Sequence, residues 1–271
     1  MKDKSSMIKS ANGEYKQISK NFEEFIKILE ESNFQKEEFL FHCKPYIHGL
    51  FEIFRKVENF MSLKGMKVLD LGCGTGLTTY LLHQKGAEVT GIDIYDQNEE
   101  IQQSFKNKGK ASQQSLWDNL KRGKKKLNYR FYEGKIIPFE NNSFELVFAH
   151  AVIEHVPKEF LKITLGEIYR ILKKDGYLVI ARTPNKFSWA EFLTKCHQIK
   201  FSKDELFEIC GPDNYELVSH EMTDFFPEVA PGGFQIILNN MLGVTKYWDR
   251  ILNASPFQKW SHHHFFVLKK K

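Results

Sequence analysis

The stretch Val68-Leu69-Asp70-Leu71-Gly72-Cys73-Gly74-Thr75-Gly76 carries an apolar run with one aspartate into three glycines at alternate positions, and a helical segment follows at once. Glycine lets the chain turn tightly and leaves bare backbone for a ligand to lie against. A strand that ends in such a loop and enters a helix is the opening unit of a parallel α/β sheet. The residues beyond keep that rhythm. Lys67–Leu71 reads as the first strand and Thr78–Gln84 as the helix, with Gly86 as its C-cap. Glu88–Asp93, Asn128–Glu133 and Glu145–Ala149 read as further strands. Pro157 opens a helix that runs to Leu172. Tyr177–Arg182 is nearly continuous in apolar residues, as a buried parallel strand should be. Ser202 and Glu205 fit a capping box for a helix reaching Cys210. Tyr215–Glu221 and Phe265–Leu268 close the series as strands.

The expected architecture is therefore α/β: a Rossmann-like, doubly wound, mostly parallel sheet of seven strands with helices on both faces. Residues 61–271 are expected to form this domain, with a motif-bearing core at 64–185 and a substrate-side elaboration at 187–265. Residues 1–60 read as an N-terminal helical extension or lid. Ile18, Phe22, Phe25 and Leu29 recur on one helix face, and Phe39, Cys43, Tyr46, Leu50, Phe54 and Val57 continue the stripe, with a break or kink at Pro45. Residues 97–126 are polar, without apolar periodicity until Leu116 and Trp117, and read as a long connection.

In such a sheet the ligand sits at the carboxyl ends of the strands, and three features narrow its chemistry. Glycines 72, 74 and 76 give G-x-G-x-G in place of the dinucleotide pattern G-x-G-x-x-G, a loop suited to a nucleoside without a pyrophosphate. Asp70 before the loop would repel a diphosphate and favour a ligand carrying positive charge. Asp93 ends the second strand about 20 residues beyond Gly72, the spacing of a carboxylate that grips ribose hydroxyls.

Taken in order, Val68–Gly76, Gly91–Asp93, Ile137–Val147 and Ile153–Val156 resemble successive motifs of class I S-adenosylmethionine (SAM)-dependent methyltransferases, above all the subgroup acting on small molecules and lipids. Arg170–Ile180 matches that family's helix, turn and fifth strand, so the resemblance covers residues 64–185. It implies that Asp70, Gly72, Cys73, Gly74 and Gly76 hold the methionine end of SAM and Asp93 the ribose. Ile94 would pack on the adenine, Glu133 would accept from its amino group, and His150 would lie beside the transferable methyl. S-adenosylhomocysteine would be the product.

Two departures bear on the reaction. Members that methylate base or glutamine nitrogen carry Asn/Asp-Pro-Pro-aromatic after strand four, where this chain has Ala149-His150-Ala151-Val152. A metal-binding branch has Glu-x-x-Glu-His, and here Ala151 replaces the first Glu before Glu154-His155, so no catalytic metal is expected there. His262-His263-His264 precedes Phe265–Leu268 and reads as the start of a closing strand, with alternation placing His262 and His264 on one face. His150 and then His155 are the candidate catalytic bases by position. Thr183-Pro184-Asn185 and residues 225–234 are candidates to line the acceptor pocket.

The chain carries a net charge of +5, concentrated at Lys121–Lys126 and Lys269–Lys271. Such runs are usually solvated faces, though the first would also serve an RNA or protein methyltransferase. A non-catalytic SAM-binding protein is a third reading. The four cysteines are scattered with no CxxC pair, which suggests neither a zinc framework nor disulfides. No apolar run is long enough to span a membrane, and Met1–Lys20 is polar, so a cytoplasmic protein acting on a small-molecule or lipid-type acceptor is expected.

Overall fold

The computed structural model describes residues 4–32, 49–94, 109–194, 197–226 and 242–271. Helices α1 (Lys4–Glu31) and α2 (49–58) lead into β1 (Lys67–Leu71), α3 (Leu77–Gln84) and β2 (Glu88–Ile94). Next come α4 (Gly109–Lys121), β3 (Leu127–Tyr132), β4 (Phe144–His150), a 3-10 turn (Ile153–His155), α5 (Lys158–Ile171) and β5 (Leu172–Pro184). The chain continues through α6 (Trp189–Thr194), α7 (Lys203–Cys210), β6 (Tyr215–Thr223), α8 (Leu242–Asn253), a second 3-10 turn (Pro256–Trp260) and β7 (His263–Lys270).

The seven strands lie in the order β3-β2-β1-β4-β5-β7-β6. β1 pairs parallel with β2 and β4, and β7 runs antiparallel between β5 and β6. The order reverses between β1 and β4, which opens a crevice at their carboxyl ends. Alternate residues of the central strands feed two apolar layers, as the pleat requires. Val68, Leu146, Phe148, Val179, Phe265 and Val267 face α1, α2, α3 and α4, burying Phe25, Leu29, Phe54, Tyr80 and Trp117. Leu69, Leu71, Val147, Ile180, Phe266 and Leu268 face α5 and α7, burying Leu161, Leu165, Ile168 and Leu206.

Several local expectations hold at the atomic level. Gly86 has φ +91 just past α3. Ser202 and Glu205 make the reciprocal capping box of α7, while Pro157 stands one residue before the first helical position expected of it, as the N-cap of α5. Ile18, Phe22, Phe25 and Leu29 do share one buried face of α1.

Other expectations need correction. The polar connection holds a helix, α4, whose Leu116, Trp117 and Leu120 are fully buried. Its apolar face is one narrow stripe, too sparse to announce thirteen helical residues. β5 begins at Leu172 and not at Tyr177, because the turn at Lys173–Gly176 is absorbed as an irregularity in its pairing with β4. α6 and α8 were not foreseen, and β7 starts at His263. His262 therefore lies before the strand, and its ring stacks on His263 with centroids 3.8 Å apart, so the expected alternation of His262 with His264 does not apply. Phe39, Cys43, Pro45, Tyr46 and the segment 227–234 lie outside the described residues, as does Cys196. Among the described residues no helix is long and apolar enough to cross a membrane.

Candidate functional site

The glycine loop leaves β1 at the crevice and is tied down from three sides. Gly72 and Cys73 donate their N–H groups to the Ile92 carbonyl at 2.9 and 3.0 Å, anchoring the loop to β2. The Gly74 N–H donates to Asp93 Oδ2, and the Ile94 N–H to Asp93 Oδ1 at 2.7 Å. From α4, Gln113 Nε2 and Trp117 Nε1 donate to the Gly74 carbonyl at 3.0 and 3.1 Å. Trp117 stacks on Tyr129 with centroids 5.5 Å apart, and the Tyr129 hydroxyl donates to the Gly76 carbonyl at 3.0 Å.

Two of the glycines are demanded by both conformation and space. Gly72 has φ +69, and a Cβ there would come within 2.2 Å of Val152 Cγ2. Gly76 has φ +90 at the start of α3, and its Cβ would come within 2.6 Å of the Tyr129 ring. A side chain at either position is both strained and blocked.

Asp70 is buried at the end of β1, where its Oδ2 accepts from Thr79 Oγ1 at 2.5 Å. Burial pushes its pKa up to about 7, the Thr79 hydrogen bond opposes that rise, and the Asp93 charge adds to it. The group thus keeps its proton in the folded protein at pH values where the unfolded chain has lost it. Folded-state pKa above unfolded-state pKa means that stability is greatest below about pH 4 as regards this group and falls as pH rises to about 7. Asp70→Asn is expected to flatten that part of the stability profile, which urea unfolding at successive pH values would read. An unchanged slope between pH 4 and 7 would contradict the assignment.

The other sequence-expected positions take their places around this loop. Cys73 is buried, and burial pushes its thiol well above the ordinary range, with Asp93 and Asp70 adding to the effect. Ile94 lies at the end of β2, with its side chain against Gly134, where a Cβ would meet Ile94 Cδ1 at 2.7 Å. Glu133, just past β3, is exposed. The sheet register sets Leu71 opposite Ala149 and His150 opposite Ala181, so the loop lies beside the end of β4.

His150 is buried there. Burial lowers its pKa to about 3, Arg182 adds to the shift, and Asp224 opposes it. His155 occupies the 3-10 turn beyond, its side chain 68% exposed and its Nε2 4.0 Å from Glu154 Oε1. Glu154 itself is buried, and burial raises its pKa to about 7. The basic segment Lys121–Lys126 precedes β3, an edge strand parallel to β2 and β1, and so lies at the amino ends of these strands while the crevice lies at their carboxyl ends. Lys121 pairs with Asp118, Lys124 with Glu24 and Lys126 with Glu88.

Sequence reasoning missed Glu191 and His197 beside the carboxyl end of β5, and it took Asn185 for an acceptor-pocket residue where its side chain braces a turn. Asn185 is buried, and its Nδ2 donates to the carbonyls of Lys259 and Ser261 at 2.9 Å each, so it braces the turn before β7. That turn sets His262 against α6, where His262 Nε2 lies 2.8 Å from Glu191 Oε1, and His197 Nδ1 lies 2.5 Å from the same oxygen. Desolvation works against the Glu191 charge, but the two imidazoles hold its carboxyl well below the usual carboxylate range. His262 was visible as part of a histidine run. Glu191 is remote in sequence and carries no motif.

Residues 69–180 match the family model for a methyltransferase domain. A ubiquinone biosynthesis O-methyltransferase of Bos taurus is 37% identical over 125 residues, covering 46% of this chain and 30% of that protein. One of the same name from Coxiella burnetii is 32% identical over 101 residues, covering 37% of each. The matches thus span about a third of the length of these relatives.

Among solved structures, a SAM-dependent methyltransferase from Aquifex aeolicus shares the fold at TM-score 0.51 and 16% identity, covering 82% of this chain and 90% of that one. A protein from Pyrococcus horikoshii OT3 does so at 0.52 and 16%, covering 89% and 93%. The [4+2]-cyclase SpnF has TM-score 0.54 and 16% identity, covering 81% and 80%, so the fold by itself does not fix the reaction. Ordered motifs, sheet order and the matched segment agree: residues 69–180 form a methyltransferase domain similar to those of the class I SAM-dependent family.

Proposed function

We propose that this chain transfers the methyl group of SAM to an oxygen of a small, largely apolar acceptor. The carrying observation is that Asp70, the glycine loop and Asp93 are tied into one unit at the crevice. That unit fits the cofactor. A buried carboxyl with its pKa near 7 is stabilised in its charged form by an adjacent cationic group. Asp93 offers acceptor sites beyond those its two backbone donors use, as a carboxylate has about four. The bare backbone of the loop makes a cradle that a Cβ would fill.

When bound, SAM supplies an electrophilic methyl on a sulfonium. The chain's part is to hold the acceptor oxygen in line with it at about 3 Å and to exclude water. Trp189 supports an apolar wall on the acceptor side. Its Nε1 donates to the Phe225 carbonyl at 2.8 Å, and its ring lies 6.0 and 6.3 Å from those of Phe225 and Phe226. The acceptor's proton goes to His155 in this reading, because a buried imidazole with its pKa near 3, as at His150, is a poor base. His150 then lines the methyl-transfer site as a neutral ring. The relatives named O-methyltransferases favour oxygen as the atom methylated. The N-terminal helices α1 and α2 fit the part of a cover for the site. The basic segment lies at the amino end of β3, away from the crevice, with Lys121, Lys124 and Lys126 paired to acidic residues, which gives a nucleic-acid acceptor little support.

Labelled SAM incubated with hydroxylated small molecules and with RNA tests this. Transfer to a small hydroxyl compound is expected, with rates in 50 and 200 mM salt differing by less than about tenfold, unlike phosphate-contacting binders. Label appearing on RNA alone would overturn it.

A further inference from the structure

We propose that Glu191, His197 and His262 form a binding site for one divalent transition-metal cation of the zinc class. The three side chains come from separate pieces of chain: α6, the segment after it and the residue before β7. Yet one potential ligand atom from each lies within 4.8 Å of the other two. Two imidazoles and one carboxylate are the donor set of a three-ligand zinc site with a fourth position open. Calcium and magnesium demand oxygen ligands, so this nitrogen-rich set disfavours them.

The surroundings hold the donors in place. Glu191 is 1% exposed, and its backbone N–H is taken by Ser188 Oγ at 3.2 Å. His262 is 7% exposed, its backbone N–H donates to the Asp224 carbonyl at 2.9 Å, and its carbonyl accepts from Asn185 N–H at 2.8 Å. His197 keeps 24% of its side chain exposed and marks the way in. The distances of 2.5 and 2.8 Å from Glu191 Oε1 to the two ring nitrogens are hydrogen-bond lengths. Ligands about 2.0–2.2 Å from a tetrahedral metal stand roughly 3.4 Å apart, so each ring nitrogen needs to move away from Glu191 Oε1 by less than about 1 Å.

Two buried atoms at this cluster have no hydrogen bond among the described residues: Nδ1 of His262 and Oε2 of Glu154. Glu154 is 5% exposed and feels the charges of both His197 and Glu191. Buried polar atoms left in that state are rare in native proteins and call for an unrecorded ion or water. Two cations already act here: Lys200 Nζ lies 3.6 Å from Glu191 Oε2, and the Arg182 charge acts on Glu154. Neither hydrogen-bonds to Glu154 Oε2 or to His262 Nδ1, the two atoms that a bound ion with its water would satisfy. The site differs from the Glu-x-x-Glu-His pattern that Ala151 breaks, since none of its three ligands belongs to residues 151–155.

Cobalt titration of the chelator-treated full chain is the test. One equivalent is expected to raise visible ligand-field absorption, and one equivalent of zinc should abolish it. His197→Gln and Glu191→Gln should each weaken cobalt binding by about 100-fold or more, at least as much as loss of an outer-shell partner. SAM binding by calorimetry, retained in both variants, shows that they are folded. An absence of cobalt absorption in the unsubstituted chain, or equal binding by the variants, would reduce the cluster to a hydrogen-bonded triad and overturn the proposal. Because SAM binding is read separately, that result leaves the methyl-transfer reading standing.

Discussion

Asp93→Ala is expected to weaken SAM binding by about 100-fold or more, as measured by calorimetry beside the unsubstituted chain. Two hydrogen bonds from ribose hydroxyls to a carboxylate are together worth about 3–6 kcal/mol, and tenfold in affinity is about 1.4 kcal/mol. The loss has a second source in this chain. Asp93 also accepts from the N–H groups of Gly74 and Ile94, so the alanine variant releases the loop that shapes the rest of the site. Asp93→Asn keeps the shape and one acceptor oxygen, and should fall between the two. Binding of the alanine variant within threefold of the original would remove Asp93 from the cofactor site.

The second large effect belongs to Trp117. Its ring is fully buried between Tyr129 and Phe131, and its Nε1 supports the Gly74 carbonyl. Truncating a core tryptophan to alanine costs about 3–5 kcal/mol, so Trp117→Ala should show a much lower urea midpoint. Trp117→Phe refills most of the space but has no N–H to offer. It should lose only about 1 kcal/mol of stability for the missing hydrogen bond while still weakening SAM binding, because the Gly74 carbonyl is left to Gln113 alone. An unchanged midpoint in the alanine variant would show that α4 does not brace the loop.

The grouping of the proposed cofactor residues was legible because its determinants are local. Asp70, the glycines and Asp93 lie at the ends of two successive strands, and parallel pairing of β1 with β2 brings them together with no further information. Trp117 was seen as apolar but left without a role, since nothing in the sequence says that a helix 43 residues beyond Gly74 folds back onto that carbonyl. The Glu191 cluster was harder for the same reason. Glu191 and His262 are 71 residues apart and meet only because β7 is inserted beside β5. Burial, too, is a tertiary property. His150 was a natural base by position, and its low pKa follows from a packed environment that periodicity does not report.

The insertion of β7 between β5 and β6 also governs how this chain must be made. β6 pairs with β7 and lies at the edge of the sheet, so a nascent chain that has emerged as far as Trp260 holds β6 with no neighbour in the finished pattern. The exposed flank of β5 waits for the same segment. Strand surfaces left open in this way are the ones along which incomplete chains associate with each other. The sheet closes in a late step, when Phe265, Phe266, Val267 and Leu268 enter both apolar layers together. Long-range pairings of this kind fold slowly, so the yield of native protein should depend on how quickly the final strand finds its slot.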